Sequence, residues 1–216
     1  MVTLDLRSRG LAICVAGVAG FVDVVGFLST GGFFVSFMSG NTTRLGIGVA
    51  AQSFAGLIAA GLTLSFVFGV VAGASLGRIA KGYREPAILT LVTVLLSASL
   101  AAHGLDYRLT AIVALALAMG AQNTVFSEDG DVRVGLTYMT GTLVKLGKRI
   151  TAALWGGPVF GWVWYLALWL GLCGGAVVGG LSYGRFGSAA LVIPVVVMLA
   201  MAAVAFVRVV RAGRPA

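Results

Sequence analysis

The sequence predicts an all-α polytopic membrane protein. Six transmembrane helices form two inverted three-helix repeats, each carrying a broken or re-entrant Gly/Thr motif. Three observations predict this fold. Hydrophobic residues make up 59% of the 216 positions and charged residues 10%, against about 25% charged in a soluble domain; the mean hydropathy is +1.04. Long uncharged stretches recur along the chain. A polar Gly/Thr segment occurs twice, the copies 101 residues apart. The composition excludes a soluble enzyme, a disordered chain and a disulfide scaffold.

The elements follow from the uncharged stretches. A hydrocarbon core about 30 Å thick takes about 20 apolar helical residues to cross. Residues 10–43 are broken only by Asp23, and uncharged runs cover 54–77, 86–105, 109–127, 150–184 and 186–207. The run 150–184 holds Gly156, Gly157 and Pro158 near its start, so its crossing begins near Val159. Helices are therefore expected at about 11–29, 54–77, 87–105, 109–126, 159–181 and 187–207. All belong to a single membrane domain, residues 1–216, with repeat 1 at about 11–105 and repeat 2 at about 109–207. The first stretch has the charged start of a signal peptide, but Asp23 interrupts the expected cleavage region, and it reads as a retained helix. Cys14 and Cys173 lie inside apolar runs and read as small core residues.

The net charge of +8 is a topology signal. With a cytoplasmic N-terminus and six crossings, 12 of the 15 Lys and Arg fall on the inner side, leaving only Arg44, Arg108 and Arg185 outside. That is the positive-inside bias, and it argues against nucleic acid as a partner. Both termini are then cytoplasmic.

The duplication sets the architecture. Residues 35–46 align with 136–147, with Met38/Met139, Gly40/Gly141, Leu45/Leu146 and Gly46/Gly147 identical and five further positions similar. Upstream, 20–23 matches 120–123 at offset 100, pairing Asp23 with Asn123; downstream, 73–78 matches 180–185 at offset 107. Each unit reads as helix, polar motif, helix, helix. If the motif does not cross, each unit has three spans and the second is inverted. If it did cross, Arg78, Lys81 and Arg84 would fall outside, against the charge rule. Inverted repeats are a recurring plan of secondary transporters, with sites at the repeat interface.

Candidate functional residues cluster on these repeats. Asp23 is the only carboxylate inside a span, where a charge costs at least about 2.5–3.5 kcal/mol. It reads as a proton or cation site, or else as a helix-packing carboxyl. Ser39, Gly40, Asn41, Thr42 and Arg44 are too polar to face lipid. Gly40 permits a backbone break, and Asn41 or Thr42 is expected to cap a following half-helix whose N–H groups meet a solute. Thr140, Gly141, Thr142 and Lys145 repeat the pattern from the other side. The plainer alternative is an ordinary surface loop. Gln122 and Asn123 bond across helices or read a substrate. Glycines spaced by four, Gly69, Gly73, Gly77 and Gly171, Gly175, Gly179, let helices approach closely, within the chain or between the subunits of a homodimer.

Ser75 and Ser182 match a nucleophile-elbow pattern, but each lies in an apolar helical stretch, and His103 at a helix end is the only histidine. No metal-ligand cluster or CxxC occurs. No cofactor is expected.

Residues 23–28, 34–46, 120–123 and 137–147 together resemble the YoaK-type family of bacterial inner-membrane proteins, a family of unknown function. The resemblance spans most of the chain and implies a bacterial inner-membrane location. It supplies no substrate and no catalytic residue. The leading expectation is transport of a small polar or anionic solute, with membrane lipid as surroundings, Asp23 binding a proton or cation, and the two motifs contacting solute. The alternatives are an intramembrane serine hydrolase using Ser75 or Ser182 with His103, and a structural or accessory subunit.

Overall fold

The computed structural model describes residues 6–128, 131–132 and 137–213. Arg133, Leu136 and Arg214, which entered the charge and repeat readings, lie outside the described residues. Eight α-helices are described: α1 (Leu6–Ser29), α2 (Met38–Ala50), α3 (Phe54–Ile79), α4 (Arg84–Gly104), α5 (Arg108–Gln122), α6 (Met139–Leu154), α7 (Val163–Phe186) and α8 (Val192–Arg211). Short 3-10 turns, Lys81–Tyr83 and Gly187–Leu191, precede α4 and α8. A two-residue antiparallel ribbon, β1 (Ser127–Glu128) and β2 (Asp131–Val132), interrupts the connection from α5 to α6.

Among the described residues, four helical stretches are long and apolar enough to cross a membrane: Ser8–Ser29, Phe54–Ile79, Lys81–Gly104 and Val163–Arg211. The last is 49 residues long and contains both α7 and α8, bent at Gly187, whose φ is +56°. The remaining apolar helix, α5, is 15 residues long, short of the expected 109–126. The cause is local. The Asn123 amide donates to the Met119 carbonyl, and the Thr124 hydroxyl to the Ala121 carbonyl. Such side chains compete for helix carbonyls and favour turns.

The core centres on α1 and α5. Ala12, Val15, Ala16, Ala19, Val22 and Val25 of α1 and Leu115, Ala118 and Met119 of α5 have no exposed surface. Phe54, Leu57 and Phe68 on α3 and Val177 and Leu181 on α7 are exposed. Apolar side chains on both sides of a helix fit an element between a packed core and hydrocarbon.

Glycine lets the central helices touch. A Cβ on Gly20 of α1 would strike the Leu172 carbonyl and the Ala176 N–H of α7; one on Gly120 of α5 would strike the Phe66 carbonyl and the Val70 N–H of α3. Gly175 rests on the Gly17 backbone as Gly69 rests on Leu117, and Gly179 on Phe21 as Gly73 on Ala121. Every contact of α1 with α7 in this set has a counterpart in α5 with α3, displaced by 100 residues on one helix and 106 on the other. The downstream alignment is thereby corrected by one residue: Gly73 corresponds to Gly179, because Gly180 meets only the Val24 side chain, at 3.6 Å, and needs no missing Cβ. Contacts advance together along each pair, so α1 runs parallel to α7 and α3 parallel to α5. The glycine stripes are thus occupied within the chain.

Candidate functional site: two motif helices meeting at one cavity

The first motif is a loop folded back against α1. Asp23 lies six residues before the end of α1, about 9 Å along its axis. Its Oδ1 accepts the N–H groups of Val35 (2.9 Å) and Ser36 (2.7 Å), so the chain after α1 returns to the depth of Asp23 before α2 begins. The Ser36 hydroxyl and the Phe37 N–H also face this carboxyl. Thr30 holds Phe33 at both ends, accepting its N–H and donating to its carbonyl, each at 2.9 Å. Asn41 does the same for Phe34, accepting its N–H at 3.0 Å and donating to its carbonyl at 2.6 Å. Four consecutive backbone N–H groups, from Phe33 to Ser36, therefore end on side chains. Non-helical backbone at membrane depth persists only where it is buried and satisfied in this way. Gly26 makes room, since a Cβ there would meet the Val35 side chain at 2.8 Å.

The second motif uses the same positions with weaker chemistry. Asn123, the counterpart of Asp23, accepts the hydroxyl of Thr137, the counterpart of Ser36, at 3.1 Å. Helix α2 starts at Met38 after Phe37 (φ −86°, ψ 76°), and α6 starts at Met139 after Tyr138 (φ −82°, ψ 54°). Neither helix has a side-chain N-cap. This corrects the expectation that Asn41 or Thr42 caps α2: Asn41 sits one turn inside the helix because its amide is spent on Phe34, and the Thr42 hydroxyl donates to the Met38 carbonyl.

The two helix starts meet. A cavity of about 250 Å³ is lined by Ser36, Phe37, Met38 and Ser39 from one motif, Thr137, Tyr138, Met139, Thr140 and Gly141 from the other, and Phe66 of α3. The start of a helix carries the positive end of its dipole; in α2 the Met38 and Gly40 N–H groups already bond the Ser36 and Phe37 carbonyls, each at 3.1 Å, so the dipole and the side chains are what the cavity offers. Two such ends, four hydroxyls and a phenol around two methionines and two phenylalanines suit a small solute with hydrogen-bond acceptors. The lining holds no charged side chain and no metal-ligand set; among the described residues no group of three or more His, Cys, Asp or Glu is placed to hold a metal.

The sequence-predicted residues divide around this cavity. Ser39, Thr140 and Gly141 line it. Asp23, Asn41 and Asn123 stand behind it and hold its walls. The Gln122 amide donates to the Val15 carbonyl at 2.8 Å and ties α5 to α1. Thr142 is buried and donates to the Tyr138 carbonyl. Gly40 and Arg44 line a separate open recess of about 460 Å³ with Thr43, Ile47 and Ala55. Arg44 lies half-buried over the rings of Phe27 and Phe33, 5.8 and 5.0 Å from their centres. Lys145 is exposed on α6. Ser75 and Ser182 lie inside α3 and α7, and His103 inside α4. Ser36, Thr137, Tyr138 and Phe66 were not singled out from the sequence. The signal was there for two of them, because the hydroxyl before the aromatic residue occurs in both copies at the same offset.

Fold and site together define a polytopic α-helical membrane protein with a small, partly open cavity where its two motif helices begin. The chain belongs to the family described as a protein of unknown function (DUF1275), whose model matches residues 11–204. It is 35% identical over 201 residues to the UPF0700 transmembrane protein RA0705 of Rhizobium meliloti (strain 1021), covering 92% of this chain and 87% of that protein. It is 29% identical over 145 residues to the UPF0700 transmembrane protein YoaK of Bacillus subtilis (strain 168), covering 63% of this chain and 64% of that one. No solved structure matches the chain.

Proposed function

We propose that the chain is an inner-membrane transporter or channel for a small polar or anionic solute, built from two inverted three-span repeats with both termini cytoplasmic. The observation that carries this reading is the cavity shared by the starts of α2 and α6. Three further features support it. The α1–α7 and α5–α3 packings correspond residue by residue. Parallel running of α1 with α7 fits a chain in which both leave the cytoplasmic side, with α2 and α6 re-entering without crossing. At 13 residues, α2 spans about 20 Å, too short to cross. The position of Asp23 favours a role as anchor of the first motif over that of a carrier of protons.

The test is flux into liposomes of purified protein, assayed over a panel of small polar and anionic solutes. A cavity-filling Thr140→Trp variant should abolish flux while the protein stays monodisperse. Flux unchanged by Thr140→Trp, or none for any solute, would overturn the reading. Asp23→Asn separates anchor from carrier: an anchor leaves the pH profile of flux unaltered, whereas a proton site removes its pH dependence.

A further inference from the structure

The open recess of about 460 Å³ beside α2 is built around one arginine. Gly40, Thr43, Arg44 and Ile47 line it at helical spacing, so they share one face of α2. Arg44 comes five residues after Ser39, about 8 Å farther along the helix than the motif cavity. Three neighbours fix its guanidinium. Gly32, at φ +114°, passes so close that a Cβ there would meet Arg44 Nη2 at 2.9 Å. The rings of Phe27 and Phe33 stand 5.8 and 5.0 Å away. Phe27 packs on Phe34 at 4.8 Å, and Phe34 on Phe37 at 5.1 Å. Phe37 lines the motif cavity, so one row of rings joins the recess to it. The cation is half-buried and uncompensated. Among the described residues no hydrogen bond or ion pair engages Arg44, and no Asp or Glu lines the recess. Contact with ring faces orients a guanidinium without using its five N–H donors.

We infer that this recess binds a small monocarboxylate, its carboxylate paired with the Arg44 guanidinium and its alkyl part against Ile47 and Ala55. A carboxylate presents two oxygens that match one guanidinium fork in a bidentate pair. A single cation neutralises a single charge, so a dianion would keep charge unmatched in a half-buried site. A neutral solute would leave the guanidinium itself unmatched. Ile47, 63% exposed, and Ala55, half-buried, supply apolar surface beside the fork for a short alkyl chain. A bare inorganic anion would leave that surface unused. On the transport reading, on which this last step rests, the recess collects the solute ahead of the motif cavity, and the solute class is a small monocarboxylate.

The experiment is equilibrium binding of radiolabelled butyrate to the purified full chain in an uncharged detergent, with butyramide, acetate, inorganic phosphate and phosphatidylglycerol as competitors. Butyrate should bind, and butyramide should compete at least about tenfold less well than unlabelled butyrate. Arg44→Gln should weaken binding at least about tenfold. Arg44→Lys should weaken it less, because lysine keeps the charge and loses the fork. Ile47→Ala, a truncation at an exposed position, should weaken butyrate and spare acetate. Arg185→Gln, at an exposed arginine near the end of α7, and the cavity-filling Thr140→Trp should both leave binding unchanged. No binding by the wild type overturns the inference without reference to any variant. Equal loss in Arg185→Gln reduces the site to general charge attraction, and loss in Thr140→Trp moves butyrate to the motif cavity; either overturns it. Stronger competition by phosphate or phosphatidylglycerol than by butyrate assigns the recess to another anion and also overturns it. Butyrate bound at Arg44 but not carried into liposomes leaves the site standing and removes the transport reading, so the two failures are distinct.

Discussion

Replacing Asp23 with Ala removes the acceptor for two buried N–H groups, those of Val35 and Ser36 at 2.9 and 2.7 Å. Each orphaned donor costs about 1–3 kcal/mol, so the first motif should lose about 2–6 kcal/mol. Asp23→Asn behaves differently. A side-chain carbonyl retains two lone pairs on one oxygen, so both N–H groups keep a partner, though a weaker one. Both variants are neutral, so any relief of the penalty of about 2.5–3.5 kcal/mol for an intramembrane charge is common to the two and cancels between them. The variants then differ by most of the about 2–6 kcal/mol set by the lost acceptor. In a chain of this size 1 kcal/mol moves the midpoint by about 2–4 °C. Thermal unfolding in detergent, followed by intrinsic fluorescence, should therefore place Asp23→Ala about 4 °C or more below Asp23→Asn. Equal midpoints for the two variants would refute the reasoning, because the loss would then follow the charge and not the lost acceptor.

Other perturbations follow from the same contacts. Gly20→Ala and Gly120→Ala each drive a Cβ into a carbonyl of the facing helix and should each cost about 1–3 kcal/mol or more, seen as comparable falls in the same melting assay. Asn41→Leu orphans the N–H and carbonyl of Phe34 and should cost about 2–6 kcal/mol. Its counterpart Thr142→Val loses only a bond to the helix's own Tyr138 carbonyl and should cost under about 1 kcal/mol; paired melts compare them. Gln122→Met should be near neutral, because the buried Oε1 has no hydrogen-bond partner and the amide bonds a single backbone carbonyl; a fall above about 2 kcal/mol would show that this tie is essential.

Much of this arrangement is written locally in the sequence. The apolar runs gave helices close to their observed positions because crossing length is set by hydrocarbon thickness. The duplicated segment located both motif helices, whose first residues, Met38 and Met139, are the aligned methionines. Position within the motif was less legible. Asn41 looks like a cap in one dimension, but its side chain is consumed by Phe34, seven residues earlier, a contact that depends on the loop folding back. Asp23 reads from the sequence either as a proton or cation site or as a packing carboxyl, and its bonds to Val35 and Ser36 depend on a return of the chain that composition does not show. Phe66 carries no signal of its own in the sequence, since its place in the cavity depends on how α3 packs. The one-residue error at Gly180 arose because adjacent glycines are equivalent in composition and are distinguished only by the facing backbone.

The central claim is that two helix starts, about a hundred residues apart in sequence, share one cavity. Proximity of Ser39 and Thr140 tests it most directly. With Cys14 and Cys173 replaced by Ala, a Ser39→Cys/Thr140→Cys protein should be bridged by a short bifunctional thiol reagent in native membranes. Ser39→Cys/Lys145→Cys should be bridged less. Absence of a bridge between positions 39 and 140, when each cysteine alone is readily labelled, would contradict the account.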